Sequence, residues 1–335
     1  MGRSRLEMDG SWPCGARGVS RRLAAVFPGQ GSQSIGMGGD LARKYDAAKA
    51  LFERAKDVLG YDLFEVMQTG PEEKLRETRF SQPAIFVTNL ALYEAARPLL
   101  NTVASAGHSF GEFCSLTIAG SLSFEDALRV VNVRAKAMQA AAERAPGAMA
   151  AVLGCDAAKI RAVVEQITQQ TGLRLQLANF NSPSQIVISG DAAAVKAAGE
   201  KLMEEGAKRV VPLNVSGAWH SALMEPAIAQ FSKAIDAASF KMPQFLVVSN
   251  VDALPYANVE QIKRNLVRSI VEEVRWHDTA VRLLESGCGF VAEFGANPVL
   301  GPLIRRLPNA PTVINVSDAA GVEKLHAKLG EFANA

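Results

Sequence analysis

The run Val103-Ala104-Ser105-Ala106-Gly107-His108-Ser109-Phe110-Gly111-Glu112-Phe113 leaves little freedom in how the chain around it can fold. Small and apolar residues over 102–106 predict a buried strand, two glycines then flank a serine, and apolar periodicity through Phe113, Leu116 and Ile118 predicts a helix. A strand that turns sharply into a helix brings the two main chains so close that a Cβ on either side of the serine has no room, hence the glycines. The turn lifts the hydroxyl to a helix N-terminus, where free N–H groups and the helix dipole favour a developing negative charge. An ordinary glycine-rich turn fits the five residues as well. The strand before and the helix after favour a nucleophile at Ser109.

The rest of the chain reads as an α/β fold built around that turn. Residues 23–27 predict a buried strand stopped by Pro28-Gly29, and Gln30-Gly31-Ser32-Gln33 forms a polar loop without the spacing of a phosphate cradle. Helical periodicity covers 47–59 and continues from Pro71 through Pro83 to residue 97. Ser123-x-x-Asp126 is a capping signal for a long helix over 124–144. Beyond Pro146-Gly147 the pattern becomes strand 149–153, helix 157–170, a hairpin of 173–179 and 185–189 across residues 181–184, helix 192–205 and strand 210–215. That order, β-α-β-β-α-β, is ferredoxin-like. The chain then returns to the first unit, with strands at 245–249, 290–294 and 312–316 and helices at 224–237 and 323–332. The expected division is an extension over 1–21, a large subdomain of 22–145 with 214–335, and a small one of 146–213.

Composition narrows the function classes. A net charge of +2 and no basic run interleaved with aromatics argue against nucleic acid as a partner. The absence of an 18-residue apolar stretch argues against a membrane span. The four cysteines have neither metal nor disulfide-framework spacing, so no metal is expected and a reducing compartment is. Residues 1–21 carry arginines but no apolar core of a secretory signal, so the location expected is cytoplasmic, or an organelle matrix if they are a transit segment.

Two further residues carry chemistry. On the 124–144 helix, Arg134 falls on the apolar stripe with Val130, Ala137 and Ala141. An inward guanidinium needs an anion, and spacing alone leaves open whether that is a distant carboxylate of the chain or a ligand. His220 lies on a loop at the C-terminal end of a strand, the edge where α/β sheets converge their site residues. It is the candidate base for Ser109.

Together Phe27-Pro28-Gly29-Gln30-Gly31-Ser32-Gln33, Gly107-His108-Ser109-Phe110-Gly111-Glu112, Arg134, Ala178-Asn179-Phe180-Asn181-Ser182-Pro183 and residues 216–224 resemble the malonyl-CoA:acyl carrier protein transacylases, in order and at matching intervals from residue 23 onward. The resemblance implies an α/β-hydrolase-like, mostly parallel sheet with an inserted ferredoxin-like subdomain. It implies Ser109 as nucleophile, His220 as base, main-chain N–H groups of Gln30 and Phe110 as oxyanion hole, and Arg134 as clamp for the malonyl carboxylate. The carbonyl of Ser269 would orient His220, and His108, Trp219 and Asn179 would line the pocket. It further implies a monomer without cofactor acting on malonyl-CoA and an acidic acyl carrier protein docked near Arg305 and Arg306. The chain departs from the family pattern at Ser269, where glutamine is common, and at Phe110, where leucine is. It departs again at Trp219, where smaller residues or phenylalanine are usual, and in Gly295-Ala296-Asn297-Pro298, which lacks a lysine. A thioesterase-type hydrolase would instead need an Asp or Glu as third member. A trans-acting polyketide acyltransferase would share the chemistry, and a non-catalytic binder would have no need to keep Ser109, His220 and Arg134 together.

Overall fold

A computed structural model describes residues 22–334; the extension expected over 1–21 lies outside the described residues. In chain order the elements are β1 (Leu23–Phe27), α1 (Gly39–Lys44), α2 (Asp46–Leu59), α3 (Leu63–Thr69), α4 (Glu72–Arg76), α5 (Thr78–Ala96), β2 (Thr102–Gly107), α6 (Gly111–Ile118) and α7 (Phe124–Arg144). Then come β3 (Gly147–Leu153), α8 (Ala157–Thr171), β4 (Leu175–Ser182), β5 (Gln185–Asp191), α9 (Ala192–Glu204) and β6 (Arg209–Pro212). The chain closes with α10 (Glu225–Ala237), β7 (Leu246–Val247), α11 (Val259–Arg268), α12 (Trp276–Leu284), β8 (Phe290–Phe294), α13 (Gly301–Ile304), β9 (Thr312–Val316) and α14 (Ala319–Asn334). Among them no helix is long and apolar enough to cross a membrane.

β1 explains the large sheet. Its five side chains are all buried and point alternately into two cores: Leu23, Ala25 and Phe27 into one, Ala24 and Val26 into the other. A strand covered on both faces must be apolar at every position, as in a parallel sheet flanked by helices. β1 pairs in parallel with β2 and β8, and the complete order is β7-β2-β1-β8-β9, parallel throughout. The second sheet, β4-β5-β3-β6, is antiparallel and covers its own core with α8 and α9, giving the β-α-β-β-α-β unit.

β2 is made of small residues because α6 folds back on it. A Cβ built on Gly107 would lie 1.9 Å from the carbonyl carbon of Gly111, and one on Gly111 would lie 2.4 Å from Phe27 O. Ser105 Oγ donates to Ala25 O at 2.9 Å and meets Ser115 Oγ at 2.8 Å, so a buried hydroxyl joins β1, β2 and α6. The capping signal on α7 takes the expected form, with Ser123 Oγ accepting from Asp126 N at 3.0 Å.

Several boundaries differ from the sequence expectation. The helical stretch from Pro71 breaks at Glu77, whose φ of −59° and ψ of 130° interrupt α4 and α5. The hairpin turn contracts to Pro183 and Ser184, since β4 runs to Ser182. β6 extends only to Pro212, although Leu213 N still donates to Met149 O at 2.9 Å beyond it. β7 is only two residues long. α14 begins four residues earlier than expected, despite Gly321, because Asp318 caps it by accepting from Gly321 N at 2.7 Å.

Packing at the strand–helix turn predicts opposite signs for two glycine substitutions. Gly107→Ala should lower stability by about 3 kcal/mol or more, since both clashing partners are backbone. Gly330→Ala, on α14 with open space around the added methyl, should raise it by about 0.5–1 kcal/mol. Urea unfolding midpoints measure both, and a neutral Gly107→Ala would contradict the close approach.

Candidate active site

The C-terminal ends of β1, β2 and β7 deliver three loops to one edge of the sheet. The loop after β1 carries Gln30, the turn after β2 carries Ser109, and the segment after β7 carries Asn250. Ser109 has a left-handed backbone, φ 55°, a conformation that costs a non-glycine residue about 1 kcal/mol or more unless it is held. Asn250 holds it. Its Oδ1 accepts from Ser109 N at 2.7 Å and its Nδ2 donates to Gly107 O at 2.7 Å, bracing both sides of the turn.

Ser109 Oγ lies 2.8 Å from His220 Nε2. On the other side of the ring, Nδ1 lies 2.8 Å from the carbonyl oxygen of Ser269. A carbonyl can only accept, so Nδ1 carries the ring proton and Nε2 presents its lone pair to the serine hydroxyl. Ser269 is the C-cap of α11, and a carbonyl at a helix C-terminus has no intrahelical donor, so it is available to the ring. Burial first, and then the nearby charges of Arg134 and His108, push the His220 imidazole down to about 3, so at physiological pH it is neutral, with the Nε2 lone pair free to accept a proton.

Arg134 comes in from α7 and is 1% exposed, with the apolar stripe around it. Its Nη1 donates to Gln82 Oε1 at 2.8 Å and its Nη2 to Ser109 Oγ at 3.2 Å, while Nε has no partner. Both acceptors are neutral. Burial pushes the guanidinium down to about 9, which still leaves it charged near neutrality. The buried Glu112 on α6 gives little relief: burial pushes its carboxyl up to about 8, and Tyr256 hydrogen-bonds to it.

Ser109, His220, Arg134, Gln30, His108, Asn179 and Trp219 all line one cavity of about 100 Å³, roughly the volume of three waters. Met138, Met149, Leu213 and Val215 form its apolar wall. Among the described residues the main-chain N–H groups of Gln30 and Phe110 have no hydrogen-bond acceptor. His108, whose ionisation burial pushes down, meets Asn181 Oδ1 through Nε2 at 3.0 Å and packs on Trp276. Arg305 lies elsewhere, bonded to Val313 O at 3.1 Å and Asn315 Oδ1 at 2.5 Å, whereas Arg306 borders a second, larger groove.

Sequence reading missed Gln82 and Asn250. Gln82 sits on α5 beside a proline and gives no periodic signal of its own; Asn250 stands just after a two-residue strand. The one available hint was that an amide on a loop at the sheet's C-terminal edge is placed to brace main chain.

Residues 25–334 match the acyl transferase domain family. A malonyl CoA-acyl carrier protein transacylase of Haemophilus influenzae is 39% identical over 303 residues, 90% of this chain and 96% of the relative. One of Bacillus subtilis is also 39% identical, over 90% of this chain and 95% of its own. The solved malonyl CoA-acyl carrier protein transacylase of Coxiella burnetii superposes with a TM-score of 0.88 at 33% identity, covering 93% of this chain and 98% of that one. A malonyl-transacylase solved in complex with a type II polyketide acyl carrier protein gives 0.86 at 38% identity, covering 90% and 98%.

The depressed ionisation of His220 fixes a pH prediction. With Ser109 as nucleophile and His220 as base, a small fluorophosphonate would react through the neutral ring, so its rate should be nearly flat from pH 7 to pH 5. A histidine titrating at its ordinary value of about 6.5 would instead lose about twenty-fivefold over that range. The same shift means that below about pH 6.5 the unfolded chain binds a proton that folded His220 refuses, so stability should fall with acidity there.

Proposed function

The chain belongs to the acyl transferase domain family, and from that premise we propose that it moves malonyl from malonyl-CoA to the phosphopantetheine thiol of acyl carrier protein through an ester on Ser109. The observation that carries this reading is Arg134, a buried guanidinium beside the nucleophile whose hydrogen bonds reach only neutral groups. A malonyl group on Ser109 brings a carboxylate into the same small cavity. The planar fork then gains the charged acceptor that it lacks inside the fold.

Each half-reaction follows from the geometry. His220 Nε2 takes the Ser109 proton as Oγ attacks the thioester carbon, and the N–H groups of Gln30 and Phe110 receive the oxyanion. Collapse of the intermediate releases CoA, whose sulfur takes the proton from Nε2. The carrier's thiol then gives its proton to His220 and attacks the malonyl ester, and Nε2 passes that proton to Ser109 Oγ as it leaves. The imidazolium formed in each passage is stabilised by the Ser269 carbonyl, at the negative end of a helix dipole. No cofactor is needed for either step. The malonyl carrier that results supplies fatty-acid synthesis.

A hydrolase of thioesterase type is disfavoured because Nδ1 of His220 faces a carbonyl rather than a carboxylate. The small cavity suits a short acyl group, and the bulk of Trp219 beside the base disfavours an α-branch. For the carrier's acidic surface we assign Arg306 ahead of Arg305, since the latter is held by Val313 and Asn315.

Arg134→Ala should lower malonyl transfer a hundredfold or more while relatively favouring acetyl-CoA, and Arg134→Lys should fall between. The ratio of malonyl to acetyl transfer rates measures this; an unchanged ratio would make the arginine purely structural. By intact mass, malonyl-CoA should leave a malonyl adduct on the native chain and none on Ser109→Ala. Ser269→Ala should be nearly silent, because the hydrogen bond to His220 comes from its main chain, and a loss matching that of His220→Ala would overturn that assignment.

A further inference from the structure

His220, like Ser109, has a left-handed backbone, φ 57°, and it stands in a loop that must hold Nε2 on the serine and Nδ1 on Ser269 at once. Part of the restraint is local: Ser221 Oγ donates to Ala218 O at 2.6 Å and accepts from Leu223 N. The rest comes from the small sheet. β4 is an edge strand there, and its free edge is joined to the large sheet's side of the molecule, with Val274 N donating to Ala178 O at 2.8 Å and Phe180 N to Val274 O at 2.9 Å.

Two residues earlier on β4, Gln176 reaches across the same seam. Its Nε2 donates to His220 O at 3.2 Å and to Val271 O at 2.7 Å, and its Oε1 accepts from Ala222 N at 3.0 Å. One planar amide therefore ties down the loop that carries the base and also the turn that carries the base's acceptor, since Val271 is two residues past Ser269. The Nδ1 contact on Ser269 O joins the same two segments, and Gln176 spans them from outside. We propose that Gln176 is a positioning residue for the reaction: it sets the base and its orienting carbonyl in register from a fixed point on the inserted sheet.

The amide is suited to this and its nearest relatives are not. Both Nε2 hydrogens are used on carbonyls, so a carboxylate at 176 would face two acceptors, and a shorter asparagine would reach neither segment fully. Loss of the clamp lets the loop relax from its left-handed geometry and lengthens the 2.8 Å approach of Nε2 to Oγ. Misplacement of about 1 Å in such a contact lowers rates by roughly a hundredfold.

The inference rests on the Ser109–His220 pair of the proposed function, and its test avoids the acyl substrate so that the two can fail separately. The rate of Ser109 phosphonylation by a small fluorophosphonate is measured for the native chain, Gln176→Met, His220→Ala and the double variant. Gln176→Met keeps the length of the side chain and removes all three hydrogen bonds. It should slow the reaction ten- to a hundredfold, and should add less than twofold in the His220→Ala background, because a residue acting through the histidine has nothing left to position. A factor that persists in full without His220, or a native rate in Gln176→Met, overturns the proposal. If Gln176→Met is not recovered folded, Gln176→Asn goes through the same cycle, with a smaller loss that must also vanish in the His220→Ala background. A chain that passes this cycle yet transfers no malonyl would keep the positioning role and refute the substrate.

Discussion

The contact between Ser109 Oγ and His220 Nε2, 2.8 Å long, is the point on which the rest of the site depends. Both residues lie in left-handed backbone, which L-residues adopt only when their surroundings compel it. Ser109 is compelled by glycines that let α6 close on β2, and by Asn250 across the turn. His220 is compelled by Ser221 within its loop and by Gln176 from the other sheet. Neither half of the pair could be placed by its own segment.

Electrostatics follow from the same burial. Removing water makes the guanidinium of Arg134 hard to keep charged and the imidazole of His220 hard to charge at all. The two effects reinforce each other, since the cation helps to keep the ring neutral, with its Nε2 lone pair free. A carboxylate arriving in the cavity would relieve the first and soften the second. The imidazolium needed in the tetrahedral step would then be easier to form once the right substrate is bound than in the free site.

The small sheet contributes more than a roof. Asn179 lines the cavity, Asn181 meets His108, and Gln176 meets the histidine's loop. All three stand on β4, whose edge is hydrogen-bonded to the segment at Val274. An insertion joined by main-chain bonds at the seam can hold side chains to fractions of an ångström, which a loop of the same length could not.

What the sequence determined by itself was whatever a short stretch can encode. The glycines around Ser109, the apolar run of β1, the Ser123 cap and the inward stripe of α7 each state a local steric or hydrophobic demand, and the structure meets those demands where they were read. Strand ends at Pro212 and near Val247, the break at Glu77 and the early start of α14 were harder to read, because capping and pairing partners settle them rather than propensity. Only the tertiary structure decided which side chains would meet: Gln82 on Arg134, 52 residues apart, and Asn250 on Ser109, 141 apart. It alone decided Gln176 on the loop of His220, 44 residues apart. The reason is physical. An amide bonding across the fold has no periodicity and no partner within reach along the chain, so its role exists only once the tertiary structure has brought a distant segment within hydrogen-bonding distance of it.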